Sequence, residues 1–477
     1  MFACRKSMMA LFMIVLGSFS AWADDKSTIM IKIDSPEFRK VLTATPMFFV
    51  DKSVTSEDAK AFAEKGPQEL ARLLNFSGLF NVISDKAYVD GLPNISKRYN
   101  SKDDADWIVK QQGLKAEDWD FWKTVGVESL TIGTLKQDAA DGLVLSIKTY
   151  DVIRRQELLA KQFQKITDQT ATIRKYADFI LEAYTGKPGI FQSKLAFVGR
   201  RAKNSVKQIY FADFDGSNPK AITSGKEPHL SPAWSPDGRY ITYTTFENRS
   251  PNIYMYDTQT GSTRKLTSSK EGVTSGANWA PNGKLIAFSS SRGGETDIHV
   301  INPSGTERKM LIKGSSLDVD PKFSPDGKYL AFVSGRFGNP HIFVANLAWD
   351  GDTKVRVTGD KRLTYAGWYN STPDWSRESD KIAFGGYDRD INRYDIFIMN
   401  PDGTKLERLT LKNGDNESPS WSPNSQLIVF QSNRVGDGNQ KGPGKLWIMS
   451  RDGSHQRPLD VPGLFEALTP TWSPQLR

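Results

Sequence analysis

The chain has 477 residues and a formal net charge of +8, with a negative mean hydropathy. That length exceeds one ordinary hydrophobic core, so two or three soluble globular domains are expected. The positive surplus is small and spread along the chain, and no basic run is interleaved with aromatics, which argues against a nucleic-acid partner.

At the N-terminus Arg5 and Lys6 precede an apolar run from Met8 to Phe19, followed by Ala21-Trp22-Ala23. A charged start, a short apolar stretch and small residues around a cleavage point make an export signal, with cleavage expected after Ala23. A membrane anchor is the competing reading, but the run falls short of the about 20 residues a spanning helix needs. No later segment is apolar for long enough, so a membrane-spanning protein is not expected. The one cysteine, Cys4, lies in this leader. The mature chain then enters an oxidising compartment without disulfides and depends on its cores.

Next, Ile29, Ile31 and Ile33 alternate with Met30 and Lys32. Period-2 alternation predicts a half-buried strand, and a strand at a free terminus can pair with a partner's sheet edge. Met47 to Val50 predicts a second strand. Ser56, with Glu57 and Asp58 behind it, starts a helix whose apolar side is Phe62, Leu70, Leu73 and Leu74 and which ends near Gly78. Phe80 to Ile83 is a strand and Glu117 to Val125 a helix. Glu128 to Leu135, Leu143 to Val152 and Leu158 to Ile166 are strands. Asp168 to Tyr184 is a helix stopped by Gly186 and Pro188. Helices and strands mixed in this way give an α/β domain over residues 24–190.

From Lys194 onward helical periodicity disappears and a repeat takes over. Pro232-Ala233-Trp234-Ser235-Pro236-Asp237-Gly238 recurs with variations, anchored on Trp234, Trp279, Phe323, Trp375, Trp421 and Trp472 at steps of 45, 44, 52, 46 and 51 residues. A period of about 40–50 residues built from short strands is the mark of a β-propeller. Each unit offers four strands. Strand a carries the anchoring aromatic, strand b is the apolar run after it, strand c resembles Ile396 to Met399, and strand d ends near a Leu-Thr pair such as Leu266-Thr267. Turns such as Asp215-Gly216, Asp402-Gly403 and Asp452-Gly453 join c to d, where both central residues are expected at positive φ. The first unit lacks strand a, and Pro470 to Ser473 stands alone at the other end, so the C-terminal strand is expected to close a ring of six blades. The fold class is therefore two-domain: an N-terminal α/β domain (a mixed sheet with helices), then an all-β six-bladed β-propeller over 191–477. The short a–b and c–d turns share one face. The long b–c and d–a loops share the other, which is the expected binding face.

Catalytic and metal chemistry is sparse. There is no Gly-x-Ser-x-Gly elbow and no His-Glu-x-x-His. His299 and His341 fall in or beside strand c, where packed histidines are expected, and the other two histidines are His229 and His455. Asp388-x-Asp390-x-Asn392 resembles the first half of a calcium loop, but Arg393 and Met399 stand where the glycine and the last acid belong. No cofactor, metal or catalytic residue is expected. An enzyme using channel-lining acids and a binder of peptidoglycan fragments remain the alternatives to a protein adaptor.

The repeat Pro-x-Trp-Ser-Pro-Asp-Gly-Lys-x-Ile-Ala-Phe resembles the TolB-type propeller. The leader, Ile31 to Ser35, Trp122 to Gly133, Asp151 to Leu159 and Ala183 to Phe191 resemble the same family in the same order. The resemblance implies a periplasmic adaptor of the Tol–Pal envelope system, supporting outer-membrane integrity and constriction at division. Its implied partners are the peptidoglycan-associated lipoprotein Pal and the C-terminal domain of TolA, with room for other outer-membrane proteins. By the same resemblance, the TolA segment is Ile29, Ile31, Ile33, Asp34 and Ser35, within residues 24–35. The lipoprotein face is Glu227, His229, Ser231, Thr274, Ser275 and Glu417, with Asp318 and Asp320. Lys32 and Pro36 stand where the family usually has an apolar residue and a glycine, and a proline shortens a pairing strand.

Overall fold

The computed structural model describes residues 39–84, 87, 114, 116–246, 250–268, 272–291, 294–314, 316–411, 413–435 and 440–476. The expected leader and the strand expected at 29–33 lie outside them. Six strands form one mixed sheet: β1 (Val41–Ala44), β2 (Phe49–Val50), β3 (Phe80–Val82), β4 (Ser129–Asp138), β5 (Gly142–Asp151) and β6 (Gln156–Phe163). Their order is β3-β1-β4-β5-β6, with β2 beside β4. β1 pairs in parallel with β3 and β4, and the β4-β5-β6 meander is antiparallel. β1 has no counterpart among the expected strands. It is central and mostly buried, so Val-Leu-Thr-Ala shows no alternation to read.

Helix α1 (Glu57–Phe76) contains Pro67, which has no N–H to donate to the Ala63 carbonyl. Phe48 fills that vacancy: its backbone N–H donates to the Ala63 oxygen at 3.0 Å. Gly66 permits the approach, since a Cβ there would stand 2.7 Å from the Phe48 ring. Helix α2 (Ala116–Val125) buries Phe121 and Trp122. Helix α3 (Gln169–Thr185) starts at Asp168, whose side chain accepts from the Ala171 N–H at 2.8 Å. It ends on Gly186 at φ 67°, which donates back to the Glu182 oxygen.

Six four-stranded antiparallel sheets follow, each ordered a-b-c-d. Their a strands are Glu466–Trp472 (blade 1), His229–Trp234 (blade 2), Thr274–Trp279 (blade 3), Asp318–Phe323 (blade 4), Tyr369–Trp375 (blade 5) and Asn416–Trp421 (blade 6). In blade 1 the C-terminal strand pairs with Lys194–Arg200, Trp472 facing Leu195, so the last strand closes the ring. The a strands touch one another around the ring and line its channel. All six anchoring aromatics are at most 7% exposed.

Two details differ from expectation. In the c–d turns positive φ falls on the glycine and on the second residue after it: Gly216 (83°) with Asn218 (53°), Gly305 (84°) with Glu307 (56°), Gly403 (89°) with Lys405 (51°), and Gly453 (82°) with His455 (53°). The residue before each glycine stays on the negative side, so the two left-handed residues of these turns are not the adjacent pair expected. The d strands also stop before the Leu-Thr pair. The leucine enters the core, and the threonine oxygen accepts the first free N–H of strand c: Ile253 to Thr267, Ile342 to Thr364 and Ile396 to Thr410, at 2.9–3.0 Å.

The N-terminal domain packs against blades 1 and 6 and reaches blade 5 through Lys187, which bridges Glu378 at 3.0 Å. Arg174 bridges Asp213 at 3.0 Å, Arg72 bridges Asp215 at 2.6 Å, and Arg457 donates to the Phe76 carbonyl at 2.6 Å. Beneath them one apolar cluster runs from α1 and α3 into both blades through Phe191, Phe214 and Leu459. Among the described residues no helix is long and apolar enough to cross a membrane.

Candidate functional site

Every a strand carries the same irregularity. Pairing with strand b shifts register three residues before the anchoring aromatic. The residue there is left-handed: Ser231 (53°), Gly276 (63°), Asp320 (53°), Thr372 (50°), Ser418 (52°) and Thr469 (42°). Only one of the six is glycine, so five blades hold a side chain in a conformation costing about 1–3 kcal/mol each. Strain repeated at one level of a channel belongs to the architecture, and it re-aims the residues just before it toward the loop face.

The residues expected on that face fall into two groups. Glu227 and Ser231 are exposed, and His229, Ser275, Asp320 and Glu417 are half-buried. They come from blades 2, 3, 4 and 6 and meet around the channel. His229 packs edge-on against Tyr243, and burial holds its pKa below the ordinary value. Burial raises the Asp320 pKa, with Lys322 opposing, and raises that of Glu417, with Asp415 adding to it. Gln431 donates to Glu417 at 2.9 Å.

Thr274 and Asp318 are different, and here the expectation is corrected. Both are fully buried. Thr274 shares a 2.6 Å hydrogen bond with Thr267, and Asp318 is clasped by Arg336 at 3.3 Å. They brace loops and offer a partner no surface. The expected TolA segment, Ile29, Ile31, Ile33, Asp34 and Ser35, lies outside the described residues.

The sequence reading missed a cluster of exposed apolar side chains. Seven of the exposed large hydrophobics in the propeller are Val273, Leu317, Phe337, Tyr365, Trp368, Leu411 and Val435. All seven lie in b–c or d–a loops or at a strand end beside one. The aromatics dominate: Phe337 is 69% exposed, Tyr365 75% and Trp368 48%. Arg362 lies over Tyr365 at 4.8 Å and Arg389 over Trp368 at 4.7 Å. The loop that presents them is pinned from inside, where Asn370 donates to the Ala366 carbonyl and meets buried His341, both at 2.9 Å. A cavity of about 440 Å³ opens beside Trp368, lined also by Tyr387, Asp388 and Arg408. The signal in the sequence was Tyr365-Ala366-Gly367-Trp368-Tyr369, two aromatics in a loop and a third opening the next strand, where a core needs none in the loop.

The opposite mouth of the channel is built differently. A space of about 310 Å³ there is walled by Trp234, Trp279, Phe323, Trp375 and Trp472, with Lys322, Arg377, Pro474 and Gln475 also on its wall. Among the described residues no three His, Cys, Asp or Glu side chains are grouped to hold a metal ion. Asp388, from the half calcium loop, is bridged to Arg408 at 2.8 Å.

Residues 181–476 match the family model for the TolB beta propeller domain. The chain is 33% identical over 287 residues to the Tol-Pal system protein TolB of Desulfosudis oleivorans, covering 59% of this chain and 60% of that one. It is 32% identical over 176 residues to the Tol-Pal system protein TolB of Alcanivorax borkumensis, covering 36% and 40%. The matched stretch thus spans less than two thirds of these curated relatives. The crystal structure of TolB from Acinetobacter baumannii superposes with a TM-score of 0.72 at 28% identity, covering 91% of this chain and 97% of that one.

Proposed function

The chain belongs to the TolB beta propeller family, and on that premise we propose that it is a periplasmic protein–protein adaptor of the Tol–Pal envelope system. It holds the lipoprotein Pal on the loop face of the propeller and TolA through residues 24–35. Its work is linkage and exchange between partners, in support of outer-membrane integrity and constriction at division, without catalysis.

The observation that carries this reading is that loops of one face expose Phe337, Tyr365 and Trp368, with Arg362 over Tyr365 and Arg389 over Trp368. Large aromatics and arginines dominate the energetics of protein interfaces, and contiguous exposed apolar surface marks such sites. Glu227, His229, Ser231, Ser275, Asp320 and Glu417 complete the face as its polar part.

The test measures affinity for the purified periplasmic domains of Pal and TolA. Trp368→Ala and Tyr365→Ala should each weaken Pal by roughly tenfold or more, as interface anchors do, and leave TolA unchanged. Removing residues 24–35 should abolish TolA binding. Pal affinity indifferent to both aromatic changes would refute the loop-face assignment.

A further inference from the structure

The outer edge of the propeller is charged unevenly. Between the end of strand c and the end of strand d, blades 2, 3 and 4 contribute residues 258–265, 302–312 and 351–362, with eight Lys and Arg against three Asp and Glu. The matching segments of blades 1, 5 and 6 are residues 214–221, 400–408 and 451–459, with five against four. Edge strands commonly carry a lysine to discourage pairing. That explains one cation on any blade, but not a surplus confined to three adjacent ones.

The cations on the two halves are also used differently. On the balanced half, Arg457 is spent on the Phe76 carbonyl in the domain interface, and Arg451 pairs with Asp380. On the basic half, Arg264 and Arg362 donate to the backbone carbonyls of Pro303 and Thr364, while Lys361 donates to the Asp402 carbonyl with the Asp402 carboxylate nearby and Lys354 stands 3.8 Å from Asp350. One of the three acids, Asp360, is bridged to Arg336 at 2.9 Å. Arg264, Lys265, Lys309, Lys354, Arg356 and Lys361 are all exposed, and so is Met310 among them. The N-terminal domain sits on blades 1 and 6 and reaches blade 5, so this edge points away from it.

The outer edge of a closed ring is convex. It cannot enclose a small anion, but it can lie against an extended anionic sheet, with long cationic side chains reaching the charges and an apolar residue between them. We propose that the outer edge of blades 2 to 4 docks on a bilayer surface of anionic phospholipid headgroups. Apart from Arg362, which ends strand d at the loop-face side against Tyr365, this surface is separate from the loop face, so it can hold the propeller against lipid while a protein partner occupies the loops.

The test is co-sedimentation of the purified protein with vesicles of equal parts phosphatidylcholine and phosphatidylglycerol, at low and at physiological ionic strength. Binding should appear at low ionic strength, weaken with salt and be absent with phosphatidylcholine alone. The double reversal R264E/R356E should lower it roughly tenfold or more, while K220E/K405E, an equal charge change on the other half, should lower it less than about twofold. If R264E/R356E reduces the melting temperature, R264Q/R356Q replaces it, with a smaller loss expected. Equal losses from the two reversals overturn the proposal, because net charge alone would then account for binding. So does the absence of vesicle binding at low ionic strength, with or without retention on peptidoglycan sacculi. Pal affinity should be unchanged in R264E/R356E, so failure here leaves the loop-face reading standing.

Discussion

Phe48 sits between two glycines. Its ring is 1% exposed, with Gly66 of α1 on one side and Gly133 of β4 on the other. A Cβ at Gly133 would stand 2.5 Å from the ring, so Gly133→Ala should destabilise the N-terminal domain by about 1–3 kcal/mol, read from chemical unfolding. In the sequence, Gly66-Pro67 is a pair that ordinarily marks a turn. The apolar spacing of Phe62, Leu70, Leu73 and Leu74 carries the helix through it, while the partner that takes the freed Ala63 carbonyl, the Phe48 N–H, shows only in the structure. His341 has a second consequence at this scale. Burial, with Arg362 nearby, lowers its pKa from 6.5 to about 4. The fold thus keeps the ring neutral, and the unfolded chain binds more protons between those two values. Stability tied to His341 is therefore complete above pH 6.5 and lost as pH falls through 4. Melting temperature against pH should fall across that window, and His341→Gln should flatten the fall. Charging His341 also disturbs Asn370, so the loop bearing Trp368 should loosen over the same range.

The anchoring aromatics of the a strands were legible because a fixed period exposes them, and burial places them where the period says. Their hydrogen bonds were not legible. The Trp375 indole donates to the Lys322 carbonyl at 3.1 Å, whereas the buried Trp279 indole nitrogen has no partner among the described residues. Trp279→Ala should cost about 3–5 kcal/mol, as loss of a buried indole does. Trp375→Phe should cost about 1 kcal/mol more than Trp279→Phe, because only the former breaks a hydrogen bond. Thermal unfolding of the two phenylalanine variants, side by side, checks the difference, and equal losses would contradict the assignment. The left-handed residue in each a strand escaped the sequence reading for a related reason. Ser, Asp and Thr at that position give no glycine signal, and only the register of the neighbouring strand forces the turn. Tyr365 and Trp368 were not legible as a site because polar residues carry the usual signal of one, while the exposed surface there is apolar.

At the scale of the whole molecule, the six blades and the closing strand follow from the repeat count, since one unit lacks strand a and the other end supplies it. The packing of the N-terminal domain on the propeller does not follow, because it rests on four cation contacts, Lys187 to Glu378 of blade 5 among them, and one shared core, none of which repeats. The closing strand gives a global test. Removing residues 466–477 takes away the buried Trp472 and bares the edge of Lys194–Arg200. The truncated protein should lose its cooperative melting transition or aggregate, and a transition within a few degrees of the full chain would contradict a closed ring. The same closure orders events in time. Blade 1 joins residues 194–221 to residues 466–472, strands made at opposite ends of the propeller's synthesis. Five blades can form as the chain emerges, but the sixth waits for the last strand. Until then a growing chain carries an unpaired edge, and the N-terminal domain that leans on that blade has no finished wall to lean on. Delivery of the final dozen residues is therefore the moment at which both domains lock.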